Sequence, residues 1–186
     1  MQRTKYVLSV ALLASACASR DDAAPTTNDA SGSTPAAVAS PRDTASGSIG
    51  GASILVDYGR PSRRGRAIFG ALVPFDAVWR TGANAATTLV VGAPVEIGGK
   101  PLDAGTYTLY SMPARTGWTL IVNGQTGQWG TEYRQDRDLF RIPLTLERTS
   151  TPVDTFTIRV QPGEREGAIV FAWDTLQGSI AVRPRG

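Results

Sequence analysis

The chain has 186 residues, a formal net charge of +3, a single cysteine and no histidine. Those absences exclude triads with a histidine base, histidine proton shuttles, zinc sites of the usual kind, and any disulfide framework within the chain. The mild basic excess is no argument for nucleic acid, and no cofactor, metal or nucleic-acid partner is expected.

The N-terminus carries an address. "MQRTK" is basic, "YVLSVALLASA" is an apolar run too short to span a bilayer as a helix, and small residues precede Cys17; this is a secretory signal pattern over residues 1–17. "LASAC" resembles the lipobox of bacterial lipoproteins, which implies cleavage before Cys17 and its lipidation, with the membrane as partner through that lipid. Ala18 rather than Asp follows the cysteine. By resemblance to lipoprotein sorting, the expected place is the outer membrane facing the periplasm; simple secretion is the alternative. Residues 18–52 are Ala, Ser, Thr, Pro, Asp and Gly with almost no large apolar side chain. Such a segment cannot bury enough surface to offset its chain entropy, and it reads as a disordered tether. Residues 53–186 are expected to form one domain.

That domain reads as strands in chain order: "ILVDY", "TTLVVG", "VEI", "GTYTLYSM", "WTLIVN", "LFRIPLTLE", "DTFTIRV", "AIVFAWD" and "SIAVRP". Each shows apolar residues at every second position or a β-branched run. Gly98-Gly99 marks a two-residue hairpin, and "DAG", "NGQTG", "QPGEREG" and "LQG" mark turns. Pro143 cannot donate to a ladder, so its strand belongs at an edge or carries a bulge. Pro74 is placed to start one short helical turn over "PFDAVW". The sum is an all-β domain of about eight or nine strands, an antiparallel β-sandwich, with a closed or partly closed barrel as the alternative.

Between Tyr58 and Asn84 the strand rhythm stops for a long irregular segment, and such loops are often functional. It holds Arg60, Arg63, Arg64, Arg66 and Arg80, guanidinium groups suited to a carboxylate, phosphate or sulfate. Arg60, Arg66, Trp79, Arg80, Thr81 and Asn84 are the candidate ligand-binding residues. Trp129, Tyr133 and Tyr58 are candidate stacking faces. The competing reading is architectural: Asp57 and Asp76 pair with Arg60 or Arg80, Arg63 and Arg64 are solvated, and Phe69, Leu72, Val73, Phe75 and Trp79 form a flap over the end of the core. In "VWRTGANAATTL", Gly82 and Asn84 suit left-handed backbone. Arg80 decides between the readings: a protein acceptor makes the turn architecture, and a guanidinium without one marks the place of a ligand.

"YGRPSRRGRAIFGALVPF" and "VWRTGANAATT", followed in order by "LDAGTYTLYSMP", "WTLIVN", Trp129-Gly130 and "DTFTI", closely resemble the signature of the bacterial domain of unknown function 2911. The resemblance spans residues 53 to 182 and implies a secreted or lipid-anchored β-rich protein. It brings no activity, substrate or catalytic residue. Members often carry an acidic residue after "GAN", where this chain has Ala85.

The first functional reading is therefore a non-catalytic module that binds a small anionic or polar ligand or an envelope protein. The second is a histidine-independent envelope hydrolase using carboxylates among Asp57, Asp76, Glu132, Asp136 and Asp138. These show no recognised catalytic spacing, and Ser62 and Thr81 lack an adjacent lysine base: the domain's one lysine, Lys100, sits in a turn. No catalytic residue is assigned. The third is a structural protein docking onto an envelope assembly.

Overall fold

Period-two alternation of apolar and polar residues produces strand almost throughout. The computed structural model describes residues 40–185; the signal pattern, Cys17 and most of the tether lie outside them. Ten strands form: β1 Arg42–Ile49, β2 Ala52–Gly59, β3 Thr87–Val91, β4 Val95–Ile97, β5 Lys100–Leu102, β6 Gly105–Pro113, β7 Trp118–Asn123, β8 Asp138–Pro143, β9 Thr145–Gln161 and β10 Gly167–Pro184. A six-stranded sheet runs β1-β2-β3-β6-β7-β8 and a four-stranded sheet runs β5-β4-β10-β9, with every pair antiparallel. The sheets stay separate, so the fold is a β-sandwich and not a barrel.

The core lies between the sheets. Val56, Leu89, Leu109 and Leu120 come from the first sheet, and Ile97, Ile158, Phe171 and Val182 from the second. On β2 the alternation is visible residue by residue: Ala52, Ile54, Val56 and Tyr58 are buried while Ser53 and Leu55 face outward. The outer face of the first sheet is covered at one place. Tyr110 and Ile121, paired across β6 and β7, are both buried under the 124–137 loop. That loop is pinned by the buried Asn123, whose amide donates to the Arg134 carbonyl at 2.9 Å and to Asp138 at 2.8 Å.

Four sequence expectations are corrected. The folded part begins before residue 53: "RDTASGSI" forms β1 because β2 offers a ladder along its whole length, from Arg42 opposite Gly59 to Ile49 opposite Ala52. Pairing supplies what the apolar-poor sequence lacks. "LQG" is not a turn. "AIVFAWD" and "SIAVRP" are one eighteen-residue strand, bent by register shifts on either side of Asp174, which takes a left-handed φ of 51°. "LFRIPLTLE" is not one strand either. Pro143 ends β8 at the edge of the first sheet, and β9 begins at Thr145 in the second, so the chain changes sheets at the buried Leu144. "PFDAVW" forms turns around a left-handed Asp76 (φ 59°), and the helical turn among the described residues is instead a 3-10 turn at Gln135–Arg137. The Gly98-Gly99 hairpin forms between β4 and β5, with φ of 54° and 76°.

Candidate functional site

The segment between β2 and β3 contributes only isolated bridges, at Ser62, Phe69 with Val73, Trp79 and Ala85. Of the five non-glycine residues with left-handed φ among the described residues, four lie here: Arg64, Asp76, Thr81 and Asn84. Backbone strain of that kind collects where side chains must be aimed.

The segment's first end is stitched to the edge of β9. The Arg63 amide donates to the Asp154 carbonyl at 2.7 Å, and the Phe156 amide to the Pro61 carbonyl at 2.9 Å. Its arginines are engaged by protein. Arg60 pairs with Asp43 at 2.9 Å and reaches the Thr157 hydroxyl at 3.2 Å. Arg63 pairs with Asp174 at 2.8 Å. Arg66 donates to the carbonyls of Arg63 and Ser62, at 3.0 and 2.8 Å. Asp57, the expected partner of Arg60 or Arg80, is taken by Arg42 on the neighbouring β1.

The other end docks on β6. Trp79 and Ser111 exchange backbone hydrogen bonds at 2.7 and 2.8 Å, extending the line of β3 along β6. Trp79 turns into the sandwich, where its indole stacks on Trp173 (5.6 Å between centroids, 18° between planes) and meets Phe156 edge-on at 5.0 Å. It closes the end of the core, as expected. Thr81 is fully buried, and its hydroxyl donates to Ser111 at 2.9 Å while its carbonyl accepts from Thr87 at 2.8 Å. It is part of the turn's internal wiring and lines neither of the cavities around Arg80. These bonds hold Thr81 in the left-handed region (φ 50°), whereas Gly82 stays near extended (φ 159°). Gly82 is required for closeness: a Cβ there would sit 2.9 Å from Thr87 Oγ1 and 3.0 Å from the Gly59 carbonyl.

Arg80 lies between Trp79 and this turn. Three arginines are half-buried among the described residues: Arg60, Arg63 and Arg80. The first two have carboxylate partners; Arg80 makes no hydrogen bond, ion pair or ring contact among the described residues. Its aliphatic stem lies against Gly130, where a Cβ would fall 2.6 Å from Arg80 Cδ and 2.6 Å from the Asn84 carbonyl oxygen. Gly130 in turn donates its amide to that carbonyl at 3.1 Å. The guanidinium therefore stands where the 129–133 loop crosses the 79–84 turn.

Two cavities open at that crossing. One, of about 250 Å³, brings together Arg66, Trp79, Arg80 and Asn84, four of the six sequence candidates, over a floor that includes Trp173. The second, of about 240 Å³, is lined by Val78, Trp79, Arg80, Tyr110, Thr131 and Tyr133. Arg60 lines neither, being held on the outer side by Asp43. Tyr58 is core rather than a stacking face: its hydroxyl accepts from the Ile158 amide at 2.9 Å. Trp129 is half exposed on the crossing loop and bridges Ala85. Tyr110 and Thr131 were not among the sequence candidates. Tyr110 has the pattern of any buried strand residue, and only the covering loop places it beside Arg80.

Tyr133 is wired by its hydroxyl, which donates to Asp138 at 2.6 Å and accepts from Arg141 at 2.7 Å, while Arg141 also holds Asp138 at 2.8 Å. Burial, then the hydrogen bond to the Asp138 carboxylate, pushes the Tyr133 phenol up to about 12. Burial raises Tyr110 as well, and its hydroxyl accepts from Gln128 at 3.1 Å. The candidate acids Asp57, Asp136 and Asp138 are all in ion pairs. Among the described residues no group of three or more acidic, histidine or cysteine side chains is arranged to hold a metal.

Fold and site together define a two-sheet all-β domain with an arginine-bearing cleft where an irregular crossing meets a covering loop. The chain belongs to the family described as protein of unknown function DUF2911, whose model matches residues 40–182. The match begins where the described fold begins, two residues before β1. No curated protein and no solved structure shows significant similarity to the chain.

Proposed function

We propose that this protein is a non-catalytic envelope module that binds a small anionic ligand at Arg80, carried on a lipidated Cys17 at the periplasmic face of the outer membrane. One observation carries the binding assignment: Arg80 is the half-buried arginine without an acceptor among the described residues, and it lies in a cleft with Arg66, Trp79 and Asn84. A charge partly removed from water is costly unless paired. A carboxylate or phosphate would pair it through two charge-assisted hydrogen bonds in the guanidinium's fixed fork. The hydrolase reading has no comparable support: Asp57, Asp136 and Asp138 are committed to arginines, and Asp76 and Glu132, like those three, line neither cavity.

The test is a thermal-shift screen of the chain against small carboxylates and phosphates. A ligand at a hundred times its Kd stabilises the native state by about 2.7 kcal/mol. The shift should vanish in Arg80→Gln and persist in Arg63→Gln. A shift indifferent to Arg80→Gln, or none from any anion, sinks the assignment. The anchor is tested separately by radioactive palmitate labelling, where incorporation unchanged by Cys17→Ser would remove it.

A further inference from the structure

The cleft that holds Arg80 and Arg66 carries a second set of donors, on the backbone. Gly82 and Ala83 line the same cavity and are both buried. Their amide N–H groups make no hydrogen bond among the described residues. Thr81 and Asn84, on either side, are left-handed (φ 50° and 63°). That breaks the extended run, and the two amides join no ladder. Roughly nine in ten or more buried backbone N–H groups are paired, so two successive unpaired ones are unusual. Turns that present successive amides in this way form anion-binding concavities.

The charge in the cavity points the same way. Arg66 and Arg80 line it, and no described aspartate or glutamate does. Arg66 uses its Nε and Nη2 groups on the neutral carbonyls of Arg63 and Ser62, at 3.0 and 2.8 Å. Those bonds orient the guanidinium and leave its charge unneutralised. A carboxylate brings one charge and two oxygens, fewer than two guanidinium groups and two amides can engage. The cavity, of about 250 Å³, is smaller than the roughly 300–1,000 Å³ of sites for larger organic ligands, which suits one compact anion.

We infer that the anion held at Arg80 is a phosphate dianion, free or as a monoester. Its oxygens meet the fork of Arg80, the Arg66 guanidinium and the amides of Gly82 and Ala83. This inference rests on Arg80 as the anion anchor and adds the second charge and the backbone contacts.

Isothermal titration of the chain at pH 8 and constant ionic strength, with inorganic phosphate, methyl phosphate, dimethyl phosphate and acetate, tests it. The first two are essentially dianions there, and the other two carry one charge. Inorganic phosphate should bind at least tenfold more tightly than dimethyl phosphate or acetate. Methyl phosphate equal to inorganic phosphate assigns the site to monoesters, and methyl phosphate tenfold weaker assigns it to free phosphate; both uphold the dianion. Acetate or dimethyl phosphate equal to inorganic phosphate, with binding lost in Arg80→Gln, overturns the dianion and leaves the Arg80 reading standing. Phosphate binding that survives Arg80→Gln overturns both, as does no binding by any of the four. Arg66→Gln should weaken phosphate at least tenfold at an unchanged melting temperature, and phosphate affinity within twofold of the unaltered chain would overturn the second charge. In ¹⁵N–¹H spectra phosphate should move the Gly82 and Ala83 amide resonances downfield. Saturating phosphate that leaves both unmoved would overturn the backbone contacts.

Discussion

The two ends of the 60–84 segment use the same residue type to opposite effect. At the Pro61–Arg66 end, backbone bonds to β9 come first, and the guanidinium groups find Asp43, Asp174 and carbonyls within the protein. At the Trp79–Asn84 end, the backbone bonds go to β6, whose neighbouring side chains are tyrosine, serine and apolar residues, and Arg80 is left without an acceptor among the described residues. An arginine's role here follows from the strand its backbone docks on. Proximity in sequence does not decide it.

The largest expected effect removes what the two ends share. Trp173 stacks on Trp79, and its indole N–H donates to the Asp154 carbonyl at 3.0 Å, the same carbonyl that accepts from the Arg63 amide. Trp173→Ala should cost about 3–5 kcal/mol, the range for truncating a buried large aromatic, read as a lowered denaturation midpoint. It should also release both ends of the segment to proteolysis.

Next in size is Gly130→Ala. The new Cβ would need the space of Arg80 Cδ and the Asn84 carbonyl, each 2.6 Å away. Overpacking of this kind costs about 1–3 kcal/mol, and anion binding should fall with it. Gly117→Ala, where nothing lies within 4 Å, should change chemical denaturation little and serves as the control. Equal effects at the two glycines would show that the crossing is not tightly packed.

The comparison itself is sharpened by a pair of smaller changes. Arg63→Gln breaks a partly buried pair whose side chains are 30% and 22% exposed, so its stability cost should be about 1 kcal/mol. Arg80→Gln breaks no hydrogen bond or ion pair among the described residues and keeps the stem as far as Cδ against Gly130, so it should leave stability within about 0.5 kcal/mol. If Arg80→Gln destabilises more than Arg63→Gln, the two ends are alike and the contrast is lost.

The smallest effect is in pH. Tyr133 holds its proton more firmly folded than unfolded, because burial and Asp138 raise its pKa from the ordinary 10.0 to about 12. The stability it contributes is fully present below pH 10 and is lost as pH climbs through about 12. Melting temperature should therefore fall across that window, and less steeply in Tyr133→Phe. Burial raises Tyr58 and Tyr110 in the same direction, so the variant should flatten the fall without abolishing it. A tyrosinate absorbance titration that places Tyr133 near 10 would dissolve the account of its wiring.

Much of the fold was legible because a strand's burial pattern is local. "TTLVV" and "DTFTIRV" show their buried face in their own residues. β1 was not legible: its sequence has little to bury and owes its strand to β2 alongside. The "LQG" turn was misread because glycine marks turns and strand interiors alike; at Gly178 a Cβ would sit 2.7 Å from a Leu144 methyl, so the glycine serves packing. Of the cavity lining, Arg66, Trp79, Arg80 and Asn84 are residues that type and proximity in the sequence single out. Thr81 was misassigned because a hydroxyl beside a turn serves a ligand or the turn equally well in sequence. Tyr110 and Gly130 come to the site from other elements, with no periodicity to announce them.

The sequence by itself determined an all-β domain, the place where the strand rhythm breaks and the arginines that stand there, since patterning, turn chemistry and composition act over a few residues. Only the tertiary structure decided which guanidinium has an acceptor. Carboxylates reach Arg60 and Arg63 from residues 17 and 111 positions away, and none among the described residues reaches Arg80. Pairing of charges in a sandwich is set by which strands lie side by side, and that is a property of the assembled sheets.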